Sequence, residues 1–294
     1  MDESLTPLPS QEAAIAQAMA ACVSKLMTSS TVAIVGAKAP VVRQIGSGTL
    51  LAVADLRFVV TAAHVVREAA SKGLTLGATG VNGGQFTALA GQWILTATST
   101  SANDRHDVAI YKLDDHQIKR LDGVEFVRIS DASFDHDLST GYFVVTGFPG
   151  MWSTVLDGED KIMKSKLLQY GTFSFSGSTT ALGGYDATQH FLLEASPAAV
   201  LDHAGQPTSF RTRTGFSARM PSDLQGISGC SVWKIGDLTS PITTWTKSGC
   251  RIVGIETGVF EERQAIKATR WNAVTTLLYN AFPTLRSTIE LYVR

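Results

Sequence analysis

Residues 57–66 read RFVVTAAHVV. Phe58, Val59, Val60 and Thr61 form a β-prone run of the kind that fills a buried strand. The run meets two small residues, Ala62 and Ala63, just before His64, where they leave room for an imidazole to turn into a cleft. The same texture extends in both directions. TVAIVGA (31–37) and GSGTLLAVA (46–54) precede the run, and QWILTAT (92–98), DVAIYKL (107–113), GYFVVTGFPG (141–150), KLLQYGTFSFSG (166–177), HFLLEA (190–195), CSVWKI (230–235) and RIVGIETGVF (251–260) follow it. Gly, Ser, Asp and Asn separate these runs, and no long helical pattern interleaves them. Such an order predicts an all-β chain built as antiparallel barrels or a sandwich.

Helical periodicity is confined to the ends. Ile15, Met19, Cys22 and Leu26 recur at three- and four-residue steps over residues 11–27, with Ser10 placed as an N-cap and Glu12 in the first turn. RWNAVTTLLYNAF (270–282) repeats the pattern and stops before Pro283. The stretch 151–220 carries no anchoring motif, and its Gly-rich polar segments predict surface loops.

The bulk numbers narrow the function. At 294 residues, 44% hydrophobic and 17% charged, the chain can bury a large core, and its formal net charge of −1 gives no field to hold nucleic acid or an anionic membrane. Cys22, Cys230 and Cys250 are scattered too widely for a disulfide framework or a zinc site, which favours a reducing compartment. Asp2 and Glu3 stand where a secretory leader would be basic, and no run reaches the length of a membrane-spanning helix. The expectation is a cytoplasmic protein with no metal and no cofactor.

Three segments together carry a chemistry. A serine hydroxyl attacks at neutral pH only if a base takes its proton, and the base works best when a carboxylate fixes its tautomer. His64 is the candidate base, and Asp107, heading the strand DVAIYKL, is the candidate carboxylate, with Asp104 as the fallback. Residues 225–233, QGISGCSVW, hold the candidate nucleophile. Ser228 has glycine at both minus two and plus one, whereas Cys230, the rival, is followed by Ser231 and Val232. Gly226 permits an unusual backbone turn that can aim the amides of Gly226 and Ser228 at one developing oxyanion.

In that order, TAAH, D-V-A-I and G-x-S-G resemble the trypsin-like serine proteases of the chymotrypsin fold. The GSGTLL and VGIETG segments are closest to the bacterial HtrA-like and glutamyl-endopeptidase-like branches, here without a PDZ domain. The resemblance implies two antiparallel β-barrel lobes, at residues 31–130 and 131–294, after an N-terminal tail and helix over 1–30. It also implies a catalytic His64, Asp107 and Ser228, an oxyanion hole from the amides of Gly226 and Ser228, and a peptide-binding strand at Glu256, Thr257 and Gly258. The family's pocket floor falls on Ser222, with Asp223 beside it. Ile227 stands where digestive members carry the aspartate that pairs with a freshly cut N-terminus, so that route of activation is not expected. The reading is an intracellular serine endopeptidase of narrow specificity, acting on a protein or peptide and restrained until a protein partner activates it, as in a bacterial stress or defence pathway. The alternative is a catalytically silent, protease-shaped binding module.

Overall fold

The computed structural model describes residues 11–80, 84–96, 105–121, 123–134, 137–157, 162–180, 182–195, 199–201 and 224–293. Two short helices, α1 (Gln11–Cys22) and α2 (Lys25–Ser29), open it. The single helix expected over residues 11–27 is broken there, because the Ser24 hydroxyl accepts the Met27 amide and starts a second helix.

The strands β1 (Thr31–Lys38), β2 (Val41–Val53) and β3 (Leu56–Ala62) come next, followed by helix α3 (Ala63–Ser71). Strands β4 (Thr75–Thr79), β5 (Gly84–Gln85), β6 (Thr87–Ala88), β7 (Trp93–Leu95) and β8 (Val108–Lys112), helix α4 (Asp115–Arg120) and strand β9 (Val127–Arg128) complete the first half. The sheet runs β6, β4, β1, β2, β3, β8, β7, antiparallel along its path, with β9 added parallel to β2.

The second half contributes β10 (Gly141–Gly147), β11 (Ser153–Asp157), β12 (Ile162–Ser165), β13 (Leu168–Phe173), β14 (His190–Glu194), β15 (Ala199–Leu201), β16 (Ser231–Asp237), β17 (Arg251–Phe260) and β18 (Ala265–Arg270). Its sheet runs β14, β18, β17, β16, β10, β13, β15. Strands β13 and β14 coincide with the runs KLLQYGTFSFSG and HFLLEA, whereas β11, β12 and β15 fall in the rest of the stretch expected to be loops. Helix α5 (Trp271–Ala281) and a final short helix, α6 (Arg286–Glu290), close the chain. These are two curled antiparallel sheets, the double-barrel architecture of the chymotrypsin fold.

The largest core lies between the sheets. Phe58, Val60, Val108 and Ile110 from the first pack with Trp233, Ile252 and Ile255 from the second, and Met19, Cys22, Trp271, Val274 and Leu278 seal them with α1 and α5. Fully burying side chains of this size is worth roughly 1.5–3 kcal/mol each, so the lobes are joined by apolar packing. A strand pairing also crosses the halves, from β12 to β5.

Register then places the chemistry. β3 pairs with β8 so that Ala62 faces Val108, which sets His64, just past one strand end, beside Asp107, just before the other. In the second sheet, Ser231 pairs with Ile255, which brings the loop before β16 against Glu256.

Candidate active site

Contacts from α3 anchor Asp107. Its carbonyl accepts the Ala63 amide at 2.9 Å, Oδ1 accepts the His64 amide at 2.7 Å and Arg67 Nη2 at 2.9 Å, and Oδ2 lies 2.6 Å from His64 Nδ1. Helix α3 begins at Ala63 with no side-chain cap of its own from Ala62. Asp107 therefore supplies the cap from a neighbouring strand, with its negative charge at the positive end of the helix. Its φ of 52° is left-handed, which costs a non-glycine residue roughly 1–3 kcal/mol. Hydrogen bonds to a charged group contribute about 1.5–3 kcal/mol each, enough to hold that conformation.

The strand ends at Ala62, among the small residues before His64, and the helix that follows, which the sequence did not announce, starts at Ala63 where Asp107 caps it. Arg67 escaped the sequence reading. It lies three residues after His64, so on a helix both side chains point the same way, a signal visible only once α3 is known. Burial pulls the His64 imidazole pKa down, but the Asp107 hydrogen bond and the charges of Asp107 and Glu256 outweigh it, leaving a net rise above 6.5. With Nδ1 held by Asp107, Nε2 is the ring atom available to take a proton.

The loop carrying Asp107 is also tied to the second sheet. Thr269 Oγ1 donates to the His106 carbonyl at 2.7 Å, and the ring of His190 bonds the Arg105 carbonyl through Nε2 while Nδ1 accepts the Asp186 amide. Burial, with Lys267 adding to it, holds His190 down to about 4, so it is neutral at physiological pH. Neither tie is legible in sequence, because each joins residues far apart in the chain.

Ser228 and His64 line one cleft of about 520 Å³, together with Arg43, Gln44, Ile45, Glu68, Gly150, Met151, Gln225 and Gly226. The nucleophile loop is clamped to the first sheet by the GSG segment. The Ser47 amide donates to the Ser228 carbonyl at 2.8 Å, and the Ser47 hydroxyl donates to the Gly226 carbonyl at 2.8 Å while accepting the Phe148 amide at 2.8 Å. Gly229, at φ 90°, is pressed so closely on β3 that an added Cβ would sit 2.2 Å from Thr61 Oγ1 and 2.4 Å from the Ser47 carbonyl oxygen. Gly226 has φ 97°, the left-handed turn its position required. Among the described residues, the amides of Ile227, Gly229 and Cys230 donate to protein carbonyls, whereas those of Gly226 and Ser228 have no protein acceptor.

Cys230 is fully buried, packed with Ile227 against the Gly147 position, and burial pushes its thiol well above the ordinary value. The nucleophile must be a thiolate for cysteine chemistry, so Cys230 is core. Ser222, Asp223 and the fallback acid Asp104 lie outside the described residues.

Glu256 is fully buried, Thr257 is buried and Gly258 is half-buried. The backbone of Glu256 is used within the protein: its amide donates to the Cys230 carbonyl at 2.9 Å and its carbonyl accepts the Gly229 amide at 2.8 Å. The amide proton of Glu256 is therefore already used, while its carbonyl keeps a second lone pair. The edge left open by β16, which pairs with β17 only as far as Ile255, starts beyond Glu256, at Thr257 and Gly258. The Glu256 carboxyl itself lies against the nucleophile. Burial pushes it up to about 7, against the pull of His64, the Ser228 hydroxyl, the Gly258 amide and Lys267. Neither oxygen completes a well-aligned hydrogen bond.

Residues 46–207, more than half of the chain, match the trypsin-like peptidase domain family. The chain belongs to this family. The matched segment contains His64 and Asp107 and ends before Ser228. No curated protein matches the sequence. Among solved structures, the protein is similar to the scabies mite inactivated protease paralogue S-I1, with a TM-score of 0.47 and 15% identity over 90% of this chain and 98% of that one. It is similar to GrC at a TM-score of 0.49 and 13% identity, over 89% of this chain and 97% of that one. It is also similar to the thermostable serine protease AL20 from an extremophilic microorganism, at a TM-score of 0.47 and 10% identity, over 87% and 98% of the two chains. Among the described residues of this trypsin-like protein, no cluster of His, Cys, Asp or Glu could hold a metal ion, and no helix is long and apolar enough to cross a membrane.

Proposed function

We propose that the protein is a serine endopeptidase that works through an acyl-enzyme. Ser228 Oγ attacks the scissile carbonyl and His64 Nε2 takes its proton. Asp107 fixes the tautomer and steadies the imidazolium, and the amides of Gly226 and Ser228 receive the oxyanion. His64 then returns the proton to the leaving amine, and water repeats the sequence to release the acid. The observation that carries this reading is that His64, hydrogen-bonded to Asp107 at 2.6 Å, lines the same cleft as Ser228.

The substrate is a protein or peptide in extended form, adding to the β17 edge from Thr257 onward by strand pairing. We take residues 31–130 and 131–294 as the two lobes that form the cleft. Three buried, unbridged cysteines suit a reducing, cytoplasmic setting. A protease in that setting must be restrained, and a cleft walled by Arg43, Gln44, Glu68 and Gln225 favours narrow choice of substrate, with a protein partner as activator. Incubation with a mixed peptide library, followed by sequencing of new termini, tests the activity. Wild type produces internal cuts that Ser228→Ala does not; cuts that persist in Ser228→Ala overturn the assignment.

A further inference from the structure

The proposed mechanism uses one buried carboxylate and leaves the other without a task. Glu256 is fully buried, its amide and carbonyl both bond the nucleophile loop, and its carboxyl oxygens complete no well-aligned bond. An ionised carboxylate in such a place is costly unless it finds a donor. The Ser228 hydroxyl is one of the few donors that stabilise its charged form. That same hydroxyl must point at His64 for catalysis, and it has a single proton to give.

We propose that Glu256 is a positioning residue for the nucleophile: as a carboxylate it takes the Ser228 hydroxyl as its hydrogen-bond donor and draws it from His64, and as a neutral acid it releases the hydroxyl to the imidazole. This rests on the endopeptidase reading above. The titratable groups that face Glu256 are His64 from α3, Lys267 from β18 and Cys230 from the turn into β16. Asp107 and Arg67 stand behind His64. The Cys230 thiol stays neutral, so the charges that matter are those of His64 and Lys267, both of which favour the carboxylate.

The active form is then the one in which His64 is neutral and Glu256 is protonated. Reactivity of Ser228 rises as His64 loses its proton and falls as Glu256 loses its own, giving a bell. Above the bell the rate falls about tenfold for each pH unit, in step with the protonated fraction of Glu256.

The test is the rate at which a fluorophosphonate modifies Ser228, measured from mildly acidic to alkaline pH. In this step the Ser228 Oγ–P bond forms, fluoride leaves and the hydroxyl proton passes to His64. Wild type shows the bell. Glu256→Gln removes the descending limb, so its alkaline rate exceeds that of wild type by about tenfold or more one pH unit past the maximum. The ascending limb stays in place, because on the acid side Glu256 is already neutral in wild type. A purely structural role would scale the curve without moving either limb. In case the variant does not fold, a carbon-13 titration of the Glu256 carboxyl in wild type must share its midpoint with the descending limb, and a different midpoint overturns the proposal. A wild-type curve that rises to a plateau overturns it and leaves the endopeptidase reading standing, as does a folded Glu256→Gln protein that is not labelled. Absence of Ser228 labelling in wild type at every pH overturns both.

Discussion

Asp107 and Glu256 are buried carboxylates whose charges both act on His64, and the protein treats them differently. Asp107 receives the His64 amide, the His64 ring and the Arg67 guanidinium, and its carbonyl takes the Ala63 amide. Glu256 is the more deeply buried of the two, at 0% exposure against 8%, yet its oxygens complete no well-aligned bond. A carboxylate held by several donors has one orientation and one protonation state. One whose donors are few can change both, and its stabilisation depends on where a neighbouring hydroxyl points.

The comparison breaks most severely if Asp107 loses its charge. Asp107→Asn lets the side chain present an amide to His64 Nδ1 and select the wrong tautomer, and turnover should fall by about four orders of magnitude. Steady-state cleavage of a peptide found in the library experiment measures this; an unchanged rate moves the orienting role to another acid, with Asp104 the first to examine. Arg67→Met tests the donor set with a smaller effect. It leaves His64 bonded to Asp107 but takes one charge-assisted bond from Oδ1, and about a tenfold loss of turnover is expected, near the lower end of what such a bond contributes. If Arg67→Met matches wild type in both rate and melting temperature, Asp107 is held without help from the Arg67 guanidinium.

Glu256 responds in the opposite sense. Its folded pKa lies above the free value, so the folded form binds the extra proton, and the stability this confers is complete below about 4.5 and declines as pH climbs through about 7. Glu256→Gln escapes that decline. The difference in melting temperature between the variant and wild type should move in favour of the variant from acidic to alkaline pH. A constant difference would mean that the carboxyl has the same pKa folded and unfolded, so that burial does not raise it.

Much of this architecture was legible in the sequence, for a physical reason. β-prone runs bounded by turn residues announce strands wherever one face is buried, and TAAH, D-V-A-I and G-x-S-G mark positions where local backbone geometry admits few alternatives. Gly226 and Gly229 both adopt positive φ. What stayed hidden depends on contacts between distant segments. Strand β18, AIKATR, carries two charged residues and reads poorly as a strand, though it lies inside the second sheet between β14 and β17. Ser47 reads as part of a GSG turn, yet its hydroxyl joins Gly226 to Phe148. Glu256 reads as part of the peptide-binding strand, and only the backbone bonds between β17 and the nucleophile loop show it tied to the segment that carries Ser228. Ser222 and Asp223, the expected pocket floor, lie outside the described residues.

The most direct measurement is the mass and location of a fluorophosphonate adduct, determined by peptide sequencing in the mass spectrometer on wild type, His64→Ala and Ser228→Ala. The account predicts a single adduct on Ser228 of wild type, formed far more slowly in His64→Ala and not at all in Ser228→Ala. An adduct on Cys230 or on any other side chain, or equal labelling of Ser228 with and without the His64 imidazole, would contradict it.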